Sequence, residues 1–244
     1  MSPDAYWIVP PPAGPIFQTE LLSNVVEWRV KIETIVASAA TVQVEEFIHP
    51  LAIVMTQDCD VALDHKARYE AGAEHRQIDS ILLCEVDAAA VMRERGERLD
   101  SKRWRQVESN QNERYHVLQA VPAIIAECHS LPAEAVGGAG GDTVAMERAP
   151  RGWRRWLACL SRARPTPTRP AVVEPGHVAL DPQFRGNLGL DFRRIFTMPT
   201  PEVYRRIEIG EAHRHCYLSP VHRDHLSNRF YGYHMRVALE ERDE

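Results

Sequence analysis

From Val26 onward, apolar and charged residues alternate: Val26, Trp28, Val30 and Ile32 against Glu27, Arg29, Lys31 and Glu33. Alternation of this kind sorts side chains onto the two faces of a strand, one dry and one wet. A helix starting at Leu21 is the competing reading. Val42–Ile48 alternates in part, and after His49-Pro50 an unbroken apolar run, Leu51–Met55, leads into Gln57. That run suits a buried strand and is short for a helix. Together these segments predict an antiparallel meander.

Further along, Val61–Asp79 is polar and of mixed charge, which predicts a loop or short helix. Ile81–Val86 is a second buried strand. Asp87–Gln106, charge-rich and alanine-containing, has the propensity of a surface helix. Arg114–Gln119 returns to strand character, and Leu188–Met198 does so again. Thr200-Pro201-Glu202 places a capping residue, a proline and an acid where a helix start wants them, and Ser219-Pro220 repeats the signal. The last helix is expected from Pro220 towards Leu239, because Leu226, Phe230, Tyr233 and Val237 recur at spacings of four, three and four. It should pack on the sheet. Met1–Pro15, with Pro10-Pro11-Pro12 and Gly14-Pro15, reads as an extended lead-in without chemistry. Leu131–Pro175 reads as an insertion, glycine-rich at Gly137–Gly141 and proline-rich from Pro165 to Pro175.

Composition sharpens this picture in a few places. With 44% hydrophobic residues among 244, the chain can bury a real core. A formal net charge of −5 argues against a wholesale polyanion binder. The insertion departs from that balance, with seven arginines between Arg148 and Arg169 and no acid from Glu147 to Glu174. Within it, Trp153, Trp156, Leu157 and Leu160 fall at helical spacing beside Arg151, Arg154 and Arg155, so the segment reads either as a stripe for nucleic acid or an acidic partner, or as a helix folded onto its own domain. The five cysteines form no CxxC pair. Without a signal-peptide pattern they predict reduced thiols in a cytoplasmic protein. No apolar stretch reaches the length of a membrane span.

Candidate chemistry gathers at two further places. Gln57, Asp58, Cys59 and Asp60 follow directly on the apolar run, which predicts polar side chains at a strand end with partners in the C-terminal third of the chain. Cys59, with Gln57 and Asp60, is a candidate nucleophile site; flanking carboxylates disfavour a thiolate, so a cation, a histidine or a metal would have to assist. The bland alternative is a turn in which Asp58 and Asp60 cap backbone N–H groups. His213, His215, Cys216, His222 and His225 are the densest set of potential ligands. His222 and His225 share a helix face, and with His215 or Cys216 they offer nitrogen and sulfur donors for zinc, the one cofactor the sequence suggests. Solvated histidines near a helix start are the alternative. Arg229 and Arg236, seven apart on the last helix, can meet phosphate or pair with acids of the sheet.

The strand end Thr56-Gln57-Asp58-Cys59-Asp60, the Ile81–Val86 strand and the closing Leu218-Ser219-Pro220…Leu226-Ser227-Asn228-Arg229-Phe230…Arg236-Val237 resemble a group of uncharacterised bacterial proteins from mobile-element and phage-defence neighbourhoods. Thr-Gln-x-Cys-Asp is the most specific element. Strand, polar turn and second strand are also remotely similar to the SH3-like barrel of the MazF/PemK endoribonuclease toxins, although none of that family's catalytic residues maps onto this chain. The expectation is therefore a single α+β, mainly β domain over residues 1–244: a bent antiparallel sheet or small SH3-like barrel with a packed C-terminal helix and a basic insertion. Two functions stay open. One is a component of a bacterial defence or mobile-element system that acts on or binds nucleic acid; the other is a non-catalytic module, zinc-stabilised or not, that docks a partner through the insertion.

Overall fold

The segment around Val26 is strand β2 (Leu21–Val30), so the competing helix does not form, but the expected dry face is not kept: Leu21, Leu22, Val25 and Val26 are buried while Trp28 and Val30 are exposed. The computed structural model describes residues 5–11, 14–30, 44–68, 72–95, 99–123, 125 and 179–240. The insertion 131–175, with Arg151, Trp153, Arg154, Arg155 and Trp156, lies outside the described residues.

Val44–Val54 is one strand, β3, where two were expected around His49-Pro50. A proline is tolerated there because β4 (Ser80–Ala88) pairs with β3 only over Ala52–Val54, so little ladder is lost at Pro50. Across β2, Ser23 faces Leu51 and Val25 faces His49, with Asn24 between them in the left-handed region at φ 57°. This conformation upsets the alternation, and Leu22 and Val25 end in the same core cluster. Beyond β4 come β6 (Leu188–Pro199) and β5 (Tyr115–Leu118), and β7 (His213–Arg214) flanks β2. The sheet order is β5-β6-β4-β3-β2-β7, with every pairing antiparallel.

The fold is α+β, as expected, and the sheet is bent but open. Its terminal strands β5 and β7 do not pair with each other, so the barrel alternative is corrected. The lead-in is also more than a lead-in. Trp7–Ile8 forms β1 and pairs with β8 (Tyr217–Leu218), and Trp7 is buried with its indole N–H donating to the Gln119 carbonyl at 3.2 Å.

Helices cover both sheet faces. On one lies α5 (Pro220–Glu240), whose Leu226 and Phe230 join Leu21, Leu51, Ile53, Leu190 and Phe192 in the larger core cluster. Burying each such side chain contributes about 1.5–3 kcal/mol. The other face carries α1 (Asp58–Arg68) and α4 (Thr200–Glu208), through Val61 and Val203 against Leu22, Ala52, Leu83 and Met198. The Thr200-Pro201 signal does start α4, but the capping position is Pro199, and the Thr200 hydroxyl is buried without a hydrogen-bond partner. The expected helix over Asp87–Gln106 is two helices, α2 (Ala89–Arg95) and α3 (Ser101–Glu108). Asp100 caps α3 by accepting from the Lys102 and Arg103 amides. Both helices close over β5 through Met92, Trp104 and Val107 against Tyr115 and Val117. Among the described residues no helix is long and apolar enough to cross a membrane.

Candidate active site

The Gln57–Asp60 motif is the start of α1 rather than a free turn. Thr56 closes β3 by accepting the Leu82 amide at 2.7 Å, and Asp58 opens the helix, where acidic side chains meet the positive end of its dipole. Asp58 accepts the Gln18 amide at 2.6 Å and pairs with Arg223 of α5, which ties the motif to the C-terminal helix. Gln57, Cys59 and Asp60 stay exposed. The Cys59 thiol reaches only Gln57 Oε1 at 3.6 Å and Asp60 Oδ1 at 3.5 Å. The nearby guanidinium of Arg223 is turned to Asp58 and Asp224. No activating cation therefore contacts the thiol among the described residues.

The five candidate metal ligands are not grouped into one set among the described residues. The His215 ring is buried with Nε2 at 2.9 Å from the Ser23 hydroxyl. Cys216 points into the main core, where burial, and then the charge of Glu20, push its thiol pKa up. His213 sits half-buried on β7, its pKa lowered by burial. Among the described residues no three His, Cys, Asp or Glu side chains are grouped to hold a metal ion. Arg229 and Arg236 are likewise engaged. Arg229 donates to the carbonyls of Asn110, Asn112 and Tyr115, and Arg236 pairs with Glu113. Both clamp the loop before β5 against α5, where phosphate was the alternative.

His222 and His225 do meet chemistry, with residues the sequence pattern had not joined to them. A hollow of about 290 Å³ is lined by these two, by His116 of β5, and by Tyr6, Glu108, Asn110, Gln119 and Asn187 among others. Three elements build it. The start of α5 presents His222 and His225 one turn apart; β5 presents His116 from a strand in which all four residues are buried; and β1 pairing with β8 brings Tyr6 over α5. His222 is oriented by a hydrogen bond between its Nδ1 and the Ser219 hydroxyl at 2.9 Å, and its ring lies 4.1 Å from that of Tyr6. The His116 and His225 rings are 5.5 Å apart.

Exposure grades across the site, from buried His116 through half-buried His222 to exposed His225. Burial, followed by the charges of Arg229 and His225, pushes the His116 pKa down to about 3, so its imidazole is neutral at ordinary pH. Its Nδ1 is buried without a partner. Burial raises the Tyr6 pKa, which keeps the phenol protonated. Glu108 accepts the indole N–H of Trp104 at 2.6 Å and is thereby held at the rim. Such a set can pass protons and hydrogen-bond an anion.

Sequence reasoning missed His116, Tyr6 and Glu108. Only His116 carried a signal: a lone histidine in the run Tyr115-His116-Val117-Leu118. Cys59 lines neither this hollow nor the two larger ones nearby. No family model, no curated protein and no solved structure matches the chain.

Proposed function

We propose that the chain acts on nucleic acid in the manner of a small endoribonuclease, with the imidazole hollow as its acid–base centre. The observation that carries this is the convergence of three imidazoles and a phenol on one polar hollow. RNA supplies its own nucleophile, so two positioned proton carriers suffice for its cleavage. One of His222 and His225 takes the proton of a 2′-hydroxyl as that oxygen bonds to the adjacent phosphorus. The other gives a proton to the departing 5′-oxygen as the P–O5′ bond breaks. A 2′,3′-cyclic phosphate and a 5′-hydroxyl result. Neutral His116 and the Tyr6 hydroxyl serve as hydrogen-bonding groups for the phosphate.

The arginines of the Arg148–Arg169 segment support the same proposal, since they give an acidic chain a local attraction for a polyanion. A cytoplasmic, bacterial defence setting belongs to it too, supported by the motif resemblance and by the free thiols of Cys59, Cys84 and Cys216. The test is cleavage of end-labelled single-stranded RNA by the purified chain. His222→Gln and His225→Gln should each lower the rate by at least about a hundredfold, and wild type should yield cyclic-phosphate ends. Absence of cleavage, or variants as fast as wild type, would overturn the proposal.

A further inference from the structure

The imidazole hollow does not end at Glu108 and Asn187. Both residues also line a second hollow of about 710 Å³, bounded by Ala88, Ala89, Ala90, Arg93, Leu99 and Trp104 among others. The two spaces therefore share a wall. We infer that this second hollow is a nucleobase site for the nucleotide adjoining the scissile phosphate, its ligand class being single-stranded RNA.

The choice of ligand class rests on the acid–base proposal above; the shape and lining of the site stand apart from it. Size comes first: about 710 Å³ falls within the range of small-ligand sites, and the three alanines at the β4–α2 junction leave room for a flat ring. The lining also suits a base. The Arg93 guanidinium lies over the Trp104 ring at 5.4 Å from its centroid, so the buried indole backs an exposed planar cation whose outer face is open to the hollow. With the Trp104 N–H given to Glu108 and its ring buried, the indole holds the guanidinium in place, and it is the Arg93 plane that can stack on a base. Asn187 accepts the Ala120 amide at 3.2 Å through Oδ1, leaving its side-chain N–H groups to donate to a base edge, and Gln183 stands exposed on the same wall.

A decamer of 2′-deoxythymidine, which lacks the nucleophile and cannot be cleaved this way, is the probe, with an abasic decamer of equal charge as its control. Binding is read by fluorescence anisotropy. Ala90→Trp fills the hollow from an exposed position, and Arg93→Ala removes one stacking plane; melting curves confirm that each folds. Wild type should bind the thymidine decamer at least about tenfold tighter than the abasic one, the margin one stacked base gives. Ala90→Trp should erase that difference and Arg93→Ala should reduce it. Equal affinity for both decamers in wild type, or a difference unchanged in both folded variants, overturns the base site. If base-dependent binding holds while His225→Gln cleaves RNA at the wild-type rate, the base site stands and the acid–base proposal falls. If His225→Gln abolishes cleavage while Ala90→Trp and Arg93→Ala both retain full base-dependent binding, the base site falls and the acid–base proposal stands.

Discussion

Replacing His116 by Gln should flatten the pH dependence of stability between pH 7.5 and 5. In the folded chain His116 is 2% exposed, with Arg229 and His225 as its charged or chargeable neighbours, and its pKa is pushed down to about 3; unfolded, it returns to its ordinary 6.5. The unfolded state therefore binds a proton that the folded state refuses. The stability involved is fully present above pH 6.5 and is lost as the pH falls from there towards 3. Each pH unit well below 6.5 removes about 1.4 kcal/mol, so pH 5 should find wild type weaker by about 2 kcal/mol from this residue alone. Glu27 and Glu85, whose pKa values are lowered despite burial by their hydrogen bonds and charged neighbours, act with the same sign but mainly below the ordinary carboxylate range. His65 and His213, lowered by burial, act inside the window, but they are present in both proteins and cancel in the difference. Urea unfolding at the two pH values, on wild type and on His116→Gln, measures the effect directly. Wild type should lose about 2 kcal/mol more than the variant. An equal loss in both, or an imidazole resonance of His116 that titrates near 6.5, would refute the reasoning.

Asp58→Ala removes the acceptor of the Gln18 amide and the partner of Arg223, and because that pair is partly in solvent the cost should be only about 1 kcal/mol, read as a shifted urea midpoint. Cys59→Ser should leave both melting temperature and RNA cleavage near wild type, since the thiol touches only Gln57 and Asp60; a large loss of cleavage with an intact fold would restore Cys59 as a nucleophile. Cys216→Ser sets a hydroxyl in the main core and should cost about 1–3 kcal/mol, with metal content by elemental analysis the same before and after. Removing residues 137–170 should weaken oligonucleotide binding and shallow its salt dependence, because all seven arginines from Arg148 to Arg169 leave with the segment.

The sequence by itself determined the elements whose burial repeats with a fixed period. Ile81–Val86, Leu188–Met198 and the spacing of Leu226 and Phe230 marked buried elements locally, and the α+β class follows from their order; the alternation from Val26 located a strand but not its dry face, since Trp28 and Val30 are exposed. It also marked His222 and His225 as helix-face neighbours, because a separation of three is a property of the helix alone. What it did not determine is where a strand ends when its neighbour leaves it. Pro50 reads as a break, yet β3 runs through it because β4 pairs only beyond it. Tertiary structure alone decided the site. Tyr6, His116 and His225 each lie more than a hundred residues from the next along the chain, and only the pairing of β1 with β8 and the packing of α5 near β5 bring them to one hollow. The same packing parted His215 and Cys216 from His222, near as they are in the chain, because a buried thiol and a solvent-lined imidazole satisfy opposite demands of burial. Periodicity is written in neighbours along the chain; convergence depends on which distant surfaces must be buried against each other.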